Sequence, residues 1–176
     1  PRRMHEVLQI GPMTTDEDLA AARALIEEYA QMRGVEACFD RAERHHKEMA
    51  ELPVLYSPPG GAFFLAWDEG RPAGCIGLRD LGGSICEMKR LYVRPLFRGR
   101  GIGRQLAGRL VEEARRMGFS RMRLDTLAWM KEAHALYRSM GFREIPPYHD
   151  RGQPGELFME LALSIPASPP PSSPSV

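Results

Sequence analysis

Leu91, Tyr92 and Val93 read as the end of a strand, Pro95 stops it, and glycines at 99, 101 and 103 crowd the turn that follows. Apolar residues then recur at Leu106, Leu110, Ala114 and Met117, the spacing of one helix face. A strand, a glycine-rich turn and a helix in succession point to a helix laid over a sheet. The glycines let backbone N–H groups come close to a bound group, and the helix start adds unpaired donors and the positive end of its dipole. Six cationic side chains (Lys89, Arg90, Arg94, Arg98, Arg100, Arg104) and no acidic one lie between positions 89 and 104. The expected ligand therefore carries phosphate.

Spacing separates the phosphate-binding patterns. The glycines fit neither Gly-x-x-x-x-Gly-Lys-Ser/Thr nor Gly-x-Gly-x-x-Gly. They fit Arg/Gln-x-x-Gly-x-Gly/Ala, read as Arg98, Gly101 and Gly103, preceded by Lys-Arg-Leu-Tyr-Val-Arg-Pro. A later block, Ala135-Leu136-Tyr137-Arg138-Ser139-Met140-Gly141-Phe142, accompanies them. On these two blocks the chain resembles the GNAT N-acetyltransferase superfamily, well over residues 60 to 163 and loosely before them.

The resemblance implies an α/β (α+β) fold with a mixed, mostly antiparallel central sheet of six to seven strands flanked by about four helices. It implies that the turn from Arg98 through Gly99, Arg100, Gly101, Ile102 and Gly103 to Arg104 wraps the pyrophosphate of acetyl-CoA. Backbone groups around Leu91, Tyr92 and Val93 would bind the pantetheine arm and polarise the thioester. Tyr137 matches the family tyrosine that protonates the leaving sulfur, and Glu87 stands where several members place the base for the amine. Packing offers a second reading of each: Tyr137 as a core aromatic beside Met130, Ala133 and Met140, and Glu87 as an ordinary sheet carboxylate. His134, His149, Asp150 and Glu156 are further polar candidates near the same place. Acetyl-CoA as co-substrate, an amine acceptor (small molecule or protein amine) and the absence of a metal follow from the resemblance, which also allows a homodimer. A non-catalytic acyl-CoA-binding regulatory module on the same fold is the alternative.

The remainder is consistent with one domain over residues 1–164 and a Ser/Pro-rich, disordered tail over 165–176. At 43% hydrophobic and 27% charged residues with net charge +1, nothing global points to nucleic acid or an anionic membrane. Neither a membrane-length apolar run nor a signal-peptide core is visible, and Cys38, Cys75 and Cys86 lack metal-ligand spacing, so free thiols and a cytoplasmic setting are expected. His45-His46 is a poor metal pair, because helix neighbours point about 100° apart.

Along the chain, Met4–Ile10 alternates weakly as a first strand. A helix from about Asp16 to Met32 opens on a capping box of Thr14 with Glu17, and a second runs over Phe39–Leu52. Ala62–Trp67 and Ala73–Arg79 form a hairpin. In the next strand the apolar residues switch from even positions (Cys86, Met88) to odd ones (Leu91, Val93), so either a β-bulge near Lys89 or Arg90 restores the face, or both faces are buried. Glu112 and Arg116 would pair on the exposed side of the helix that ends at Gly118. Strands at Met122–Thr126, Phe142–Ile145 and Glu156–Leu163 and a helix closed by Gly141 complete the order.

Overall fold

The computed structural model describes residues 8–32, 42–150 and 154–163. Cys38, the start of the Met4–Ile10 strand and the 165–176 tail lie outside them. In chain order the elements are β1 (Gln9–Pro12), α1 (Asp16–Ala30), α2 (Ala42–Leu55), β2 (Gly61–Asp68), β3 (Arg71–Gly82), β4 (Ile85–Val93), α3 (Ile102–Arg116), β5 (Arg121–Thr126), α4 (Lys131–Ser139), β6 (Arg143–Ile145) and β7 (Leu157–Ala162). The strands form one sheet of order β1-β2-β3-β4-β5-β7-β6. Every neighbouring pair is antiparallel except β4 and β5, which run parallel because α3 returns the chain across the sheet. This is the mixed, mostly antiparallel architecture expected.

Each face of the sheet has its own apolar core. On one side Leu106, Leu110 and Ala114 of α3 pack on Phe64, Ile76, Leu78, Cys86, Met88 and Met122. On the other, Ala22, Leu25 and Ile26 of α1 and Leu52 of α2 pack on Phe63, Leu65, Cys75 and Tyr92. Leu25, Ile26, Leu106 and Leu110 are fully buried, and each such side chain contributes roughly 1.5–3 kcal/mol. No helix among the described residues is long and apolar enough to cross a membrane.

Local details depart from the sequence reading. The α1 capping box sits one residue later: the Asp18 N–H donates to Thr15 Oγ1 at 3.0 Å, and the Asp18 carboxylate accepts from the Thr15 N–H at 2.9 Å. Aspartate closes the box because its carboxylate also takes the Thr14 N–H, at 3.0 Å. Helix α2 does not stop before Pro53 but runs through it to Leu55. Proline leaves the Met49 carbonyl without its helical donor, and Arg23 Nε of α1 donates to that oxygen instead, at 3.3 Å. On α3 the pair is not Glu112 with Arg116: Arg116 turns to Glu113, and Glu112 lies 3.7 Å from Arg109.

Gly74 shows how tightly the sheet is fitted to α3. A Cβ there would lie 2.6 Å from the Tyr92 carbonyl oxygen and 3.2 Å from Leu106 Cδ1, and Gly74 pairs with Val93 at the last rung of β3 and β4. Gly74→Ala should therefore push the two strands apart, destabilise the fold by about 1–3 kcal/mol and lower the melting temperature by roughly 3–10 °C. Thermal unfolding followed by circular dichroism tests this, and an unchanged melting temperature would contradict the packing described.

Candidate active site

Pairing between β4 and β5 consists of three rungs, Ile85 with Arg121, Cys86 with Met122 and Glu87 with Arg123. Beyond them the strands diverge. On the β3 side Cys75 pairs with Tyr92 but Gly77 pairs with Lys89, so β4 carries one extra residue between those rungs. Arg90 takes up the bulge with φ +59. Cys86, Met88, Leu91 and Val93 consequently all meet the α3-side core, while Tyr92 meets the α1 side. The structure thus contains the bulge, and both faces of the strand are covered as well.

The divergence opens a cavity of about 700 Å³. Met88 through Val93 form one wall, and Asp125 and Thr126 of β5 stand opposite. Arg98, Gly99, Gly101, Ile102, Gly103 and Arg104 line one end, and Leu136 and Tyr137 of α4 close another side. Of the positions expected to hold the co-substrate, only Arg100 is missing from the wall.

The turn has the predicted geometry. Gly99 and Gly101 adopt φ +76 and +75, with open space where a Cβ would project. Gly101 is the N-cap of α3, and the first helical bond runs from the Gln105 N–H to the Gly101 carbonyl at 3.1 Å. The N–H groups of Ile102, Gly103 and Arg104 therefore have no carbonyl one turn earlier to reach. These donors and the dipole make the turn an anion cradle.

The six clustered cations divide in two. Arg90 pairs with Glu48 of α2, Arg94 with Glu28 of α1, and Lys89 lies 3.5 Å from Glu87 and 3.8 Å from Asp125. Arg100 makes two bonds to Asp68 of β2, at 2.8 and 3.0 Å, and this pairing holds the Asp68 carboxyl below its usual range. Arg100 was expected on phosphate; β2 instead brings it a carboxylate. Arg98 and Arg104 stay at the turn with neutral partners, the Val93 carbonyl at 2.8 Å and the Ser139 hydroxyl at 2.6 Å.

On the α4 side Tyr137 is 6% exposed, packs 5.7 Å from the Phe142 ring and makes no hydrogen bond through its hydroxyl among the described residues. Burial pushes its pKa up, and Tyr29 and Asp125 add to this. Asp125, which the sequence reading passed over, faces it across the cavity. Burial pushes the Asp125 carboxyl up, but Lys89 and His149 more than offset this and leave it below the usual range. The alternation Met122, Leu124, Thr126 against Arg123, Asp125 was the only signal for it, and every half-buried strand carries such alternation.

Glu87 does not line the cavity. It is 3% exposed, accepts the Tyr148 hydroxyl at 2.9 Å and has Arg79 at 3.7 Å on its other oxygen. His149 Nε2 lies 3.0 Å from Asp125 Oδ2, so the segment after β6 is tied to both β4 and β5. Glu87, Asp125 and His149 bring ligand atoms within 4.8 Å of one another, but the Lys89 ammonium already supplies the positive charge there. His134 is 2% exposed with Nε2 2.9 Å from the Leu127 carbonyl, a role in closing the β5–α4 connection. Asp150 is exposed, while Glu156 contributes to the surroundings of Asp125. His45 faces Glu27 at 2.9 Å and His46 is exposed. Cys75 and Cys86 are buried free thiols.

Comparison with known proteins agrees with this geometry. The model of the acetyltransferase (GNAT) family matches residues 21–142. A Schizosaccharomyces pombe protein named as an uncharacterized N-acetyltransferase is 35% identical over 159 residues, covering 89% of this chain and 96% of that protein. The IAA acetyltransferase of Azospirillum brasilense is 37% identical over 124 residues, 69% of this chain and 79% of that protein. The crystal structure of an acetyltransferase from Streptococcus agalactiae shares the fold with a TM-score of 0.73 at 23% identity, over 90% of this chain and 99% of that one. With the glycine turn, the diverging strands and a family model spanning most of the domain in agreement, the chain belongs to the acetyltransferase (GNAT) family.

Proposed function

We propose that the protein is an acetyl-CoA-dependent N-acetyltransferase that moves an acetyl group to a primary amine by direct attack. The observation that carries this reading is one cavity lined both by the anion cradle at the start of α3 and by the buried Tyr137. A Thermoplasma acidophilum N-acetyltransferase of the same fold, solved in complex with coenzyme A, supports the choice of co-substrate; it has a TM-score of 0.65 at 20% identity and covers 89% of this chain and 99% of that one. The diphosphate lies on the Gly99–Gly103 turn with Arg98 and Arg104 beside it. The pantetheine arm lies along the unpaired edge of β4, where backbone groups past the bulge need a partner. The thioester then falls between Leu91 and Tyr137.

A neutral amine attacks the carbonyl carbon, the oxyanion forms beside backbone N–H donors, and collapse breaks the C–S bond. The amine proton leaves to a carboxylate, and the thiolate takes a hydrogen bond or proton from Tyr137. Burial raises the Tyr137 pKa, so the phenol is protonated and can donate a hydrogen bond to the thiolate, while the same shift makes full transfer of its proton harder. Glu87 was the carboxylate expected as base. Asp125 lines the cavity, as does the exposed Glu132 of α4; we assign the proton to Asp125, directly or through water, with Glu87 holding Lys89 and Tyr148 in place behind it.

Thiol release from acetyl-CoA across a panel of small amines and amine-bearing peptides tests the function; coenzyme A binding with no release on any of them would leave a binding module. Gly103 has ordinary space around its Cβ position, 3.8 Å from Val93 Cγ2, and a backbone suited to any residue. Gly103→Val should therefore weaken coenzyme A binding at least roughly tenfold, by calorimetry, with melting unchanged. Unaltered affinity would remove the diphosphate from the turn.

Tyr137→Phe keeps the ring against Phe142 and deletes the hydroxyl. The turnover number should fall roughly 10²–10⁴-fold while coenzyme A affinity holds; full activity would make Tyr137 core packing only. Asp125→Asn should lower the rate at neutral pH more than Glu87→Gln does, and the deficit should shrink at high pH, where more of the amine is already neutral. A larger, pH-dependent loss in Glu87→Gln would return the base to Glu87.

A further inference from the structure

The bulge in β4 is held from outside the cavity. Arg90 has a Cβ yet sits at φ +59, a backbone region that non-glycine residues occupy only when their surroundings force it. Its side chain runs to α2, where Nε donates to Glu48 Oε1 at 2.9 Å and the second guanidinium arm donates to Glu48 Oε2. The Tyr56 hydroxyl, just past the end of α2, donates to the same Oε1 at 2.8 Å. The Arg90 carbonyl accepts from Cys75 Sγ at 3.3 Å. The Tyr56 ring in turn packs against Gly77, where a Cβ would come within 2.5 Å of Tyr56 Cε1, and Gly77 is the residue paired with Lys89 beside the bulge.

Two segments far from β4 in sequence, α2 with Tyr56 just past its end and β3 with Cys75 and Gly77, thus meet behind one strained backbone position. Arg90 is 15% and Glu48 9% exposed at the side chain, so the pair is desolvated on both sides. A buried ion pair is a weak source of stability compared with an apolar core of equal volume, but it fixes geometry through two bonds of set direction. Its place at the strained residue, rather than elsewhere on α2, is what calls for a role.

We propose that Glu48 and Tyr56 are positioning residues for acyl transfer: through Arg90 they lock the β4 bulge, and with it the backbone from Leu91 to Val93 that faces the thioester. The inference rests on the acetyltransferase reading above. It makes α2, which supplies no wall of the cavity among the described residues, a determinant of turnover rather than of coenzyme A binding.

Glu48→Gln keeps the shape and one acceptor but removes the charge. Because the displaced groups sit where the carbonyl is polarised, the turnover number should fall roughly 10–100-fold, while coenzyme A affinity by calorimetry stays within about threefold, since the diphosphate is held at the distant turn. Adding Arg90→Gly should restore roughly tenfold of the lost rate, because glycine takes a positive φ with no anchor. A merely structural pair would not be rescued by deleting its second half. Tyr56→Phe, the milder variant, should lower turnover about threefold by removing one bond to Glu48. Hydrogen exchange on ligand-free protein gives a reading independent of chemistry: amides of residues 90–93 should exchange faster in Glu48→Gln, and in Tyr56→Phe should Glu48→Gln not fold. Wild-type turnover in a folded variant, parallel loss of coenzyme A affinity, absence of rescue or unchanged exchange would each overturn the proposal. Failure of the unmodified protein to release thiol with any amine would instead overturn the acetyltransferase reading and leave the exchange result to decide on the bulge.

Discussion

One extra residue in β4 sets the shape of this protein's working face. Without it, Leu91 and Val93 would turn away from the α3-side core and the strand would not reach its rung between Val93 and Gly74 with the right side chains inward. With it, β4 bends away from β5 after Glu87, and backbone groups that a flat sheet would satisfy are left facing a cavity. Buried backbone donors and acceptors require partners, so a strand left open inside a fold is already half of a binding site. The glycine turn, the start of α3 and the placement of Tyr137 all follow from where that strand points.

Electrostatics around the cavity depend on long-range pairing. The run from Lys89 to Arg104 carries six cations with no local acid, yet α1, α2 and β2 each deliver a carboxylate to one of them. Those pairings fasten helices and neighbouring strand to β4 and the turn. Arg98 and Arg104, held by neutral oxygens, keep uncompensated charge for an anion. A guanidinium already bonded to a carboxylate has little left to offer a phosphate, whereas one bonded to a carbonyl or hydroxyl retains its full charge.

The opposite end is a denser network. Glu87, Lys89, Arg123 and Asp125 share the face of the sheet turned away from α3, and Tyr148 and His149 come down on them, with Arg123 5.4 Å from the Tyr148 ring centre. Of the carboxylates in this network, Asp125 on the diverging strand lines the cavity and Glu87 does not.

Sequence alone determined the elements and their order and the glycine turn, because periodicity, proline and glycine stops and left-handed turns are properties of neighbouring residues, while the candidate role of Tyr137 came from the resemblance to the family. It narrowed β4 to a bulge or a doubly buried strand, since a switch from Met88 to Leu91 as the inward residue breaks a period of two. It misplaced the capping box and the Glu112–Arg116 pair, did not reveal the carboxylate that pairs with Arg100, and passed over Asp125. The first two were choices between neighbouring side chains settled within one element, by the Thr14 and Thr15 amides converging on Asp18 and by Arg116 turning to Glu113; the other two depended on another element, with Asp68 reaching across from β2 and β5 diverging from β4. A charged side chain pairs with what the tertiary structure brings within about 3 Å of it, and no local pattern encodes that distance.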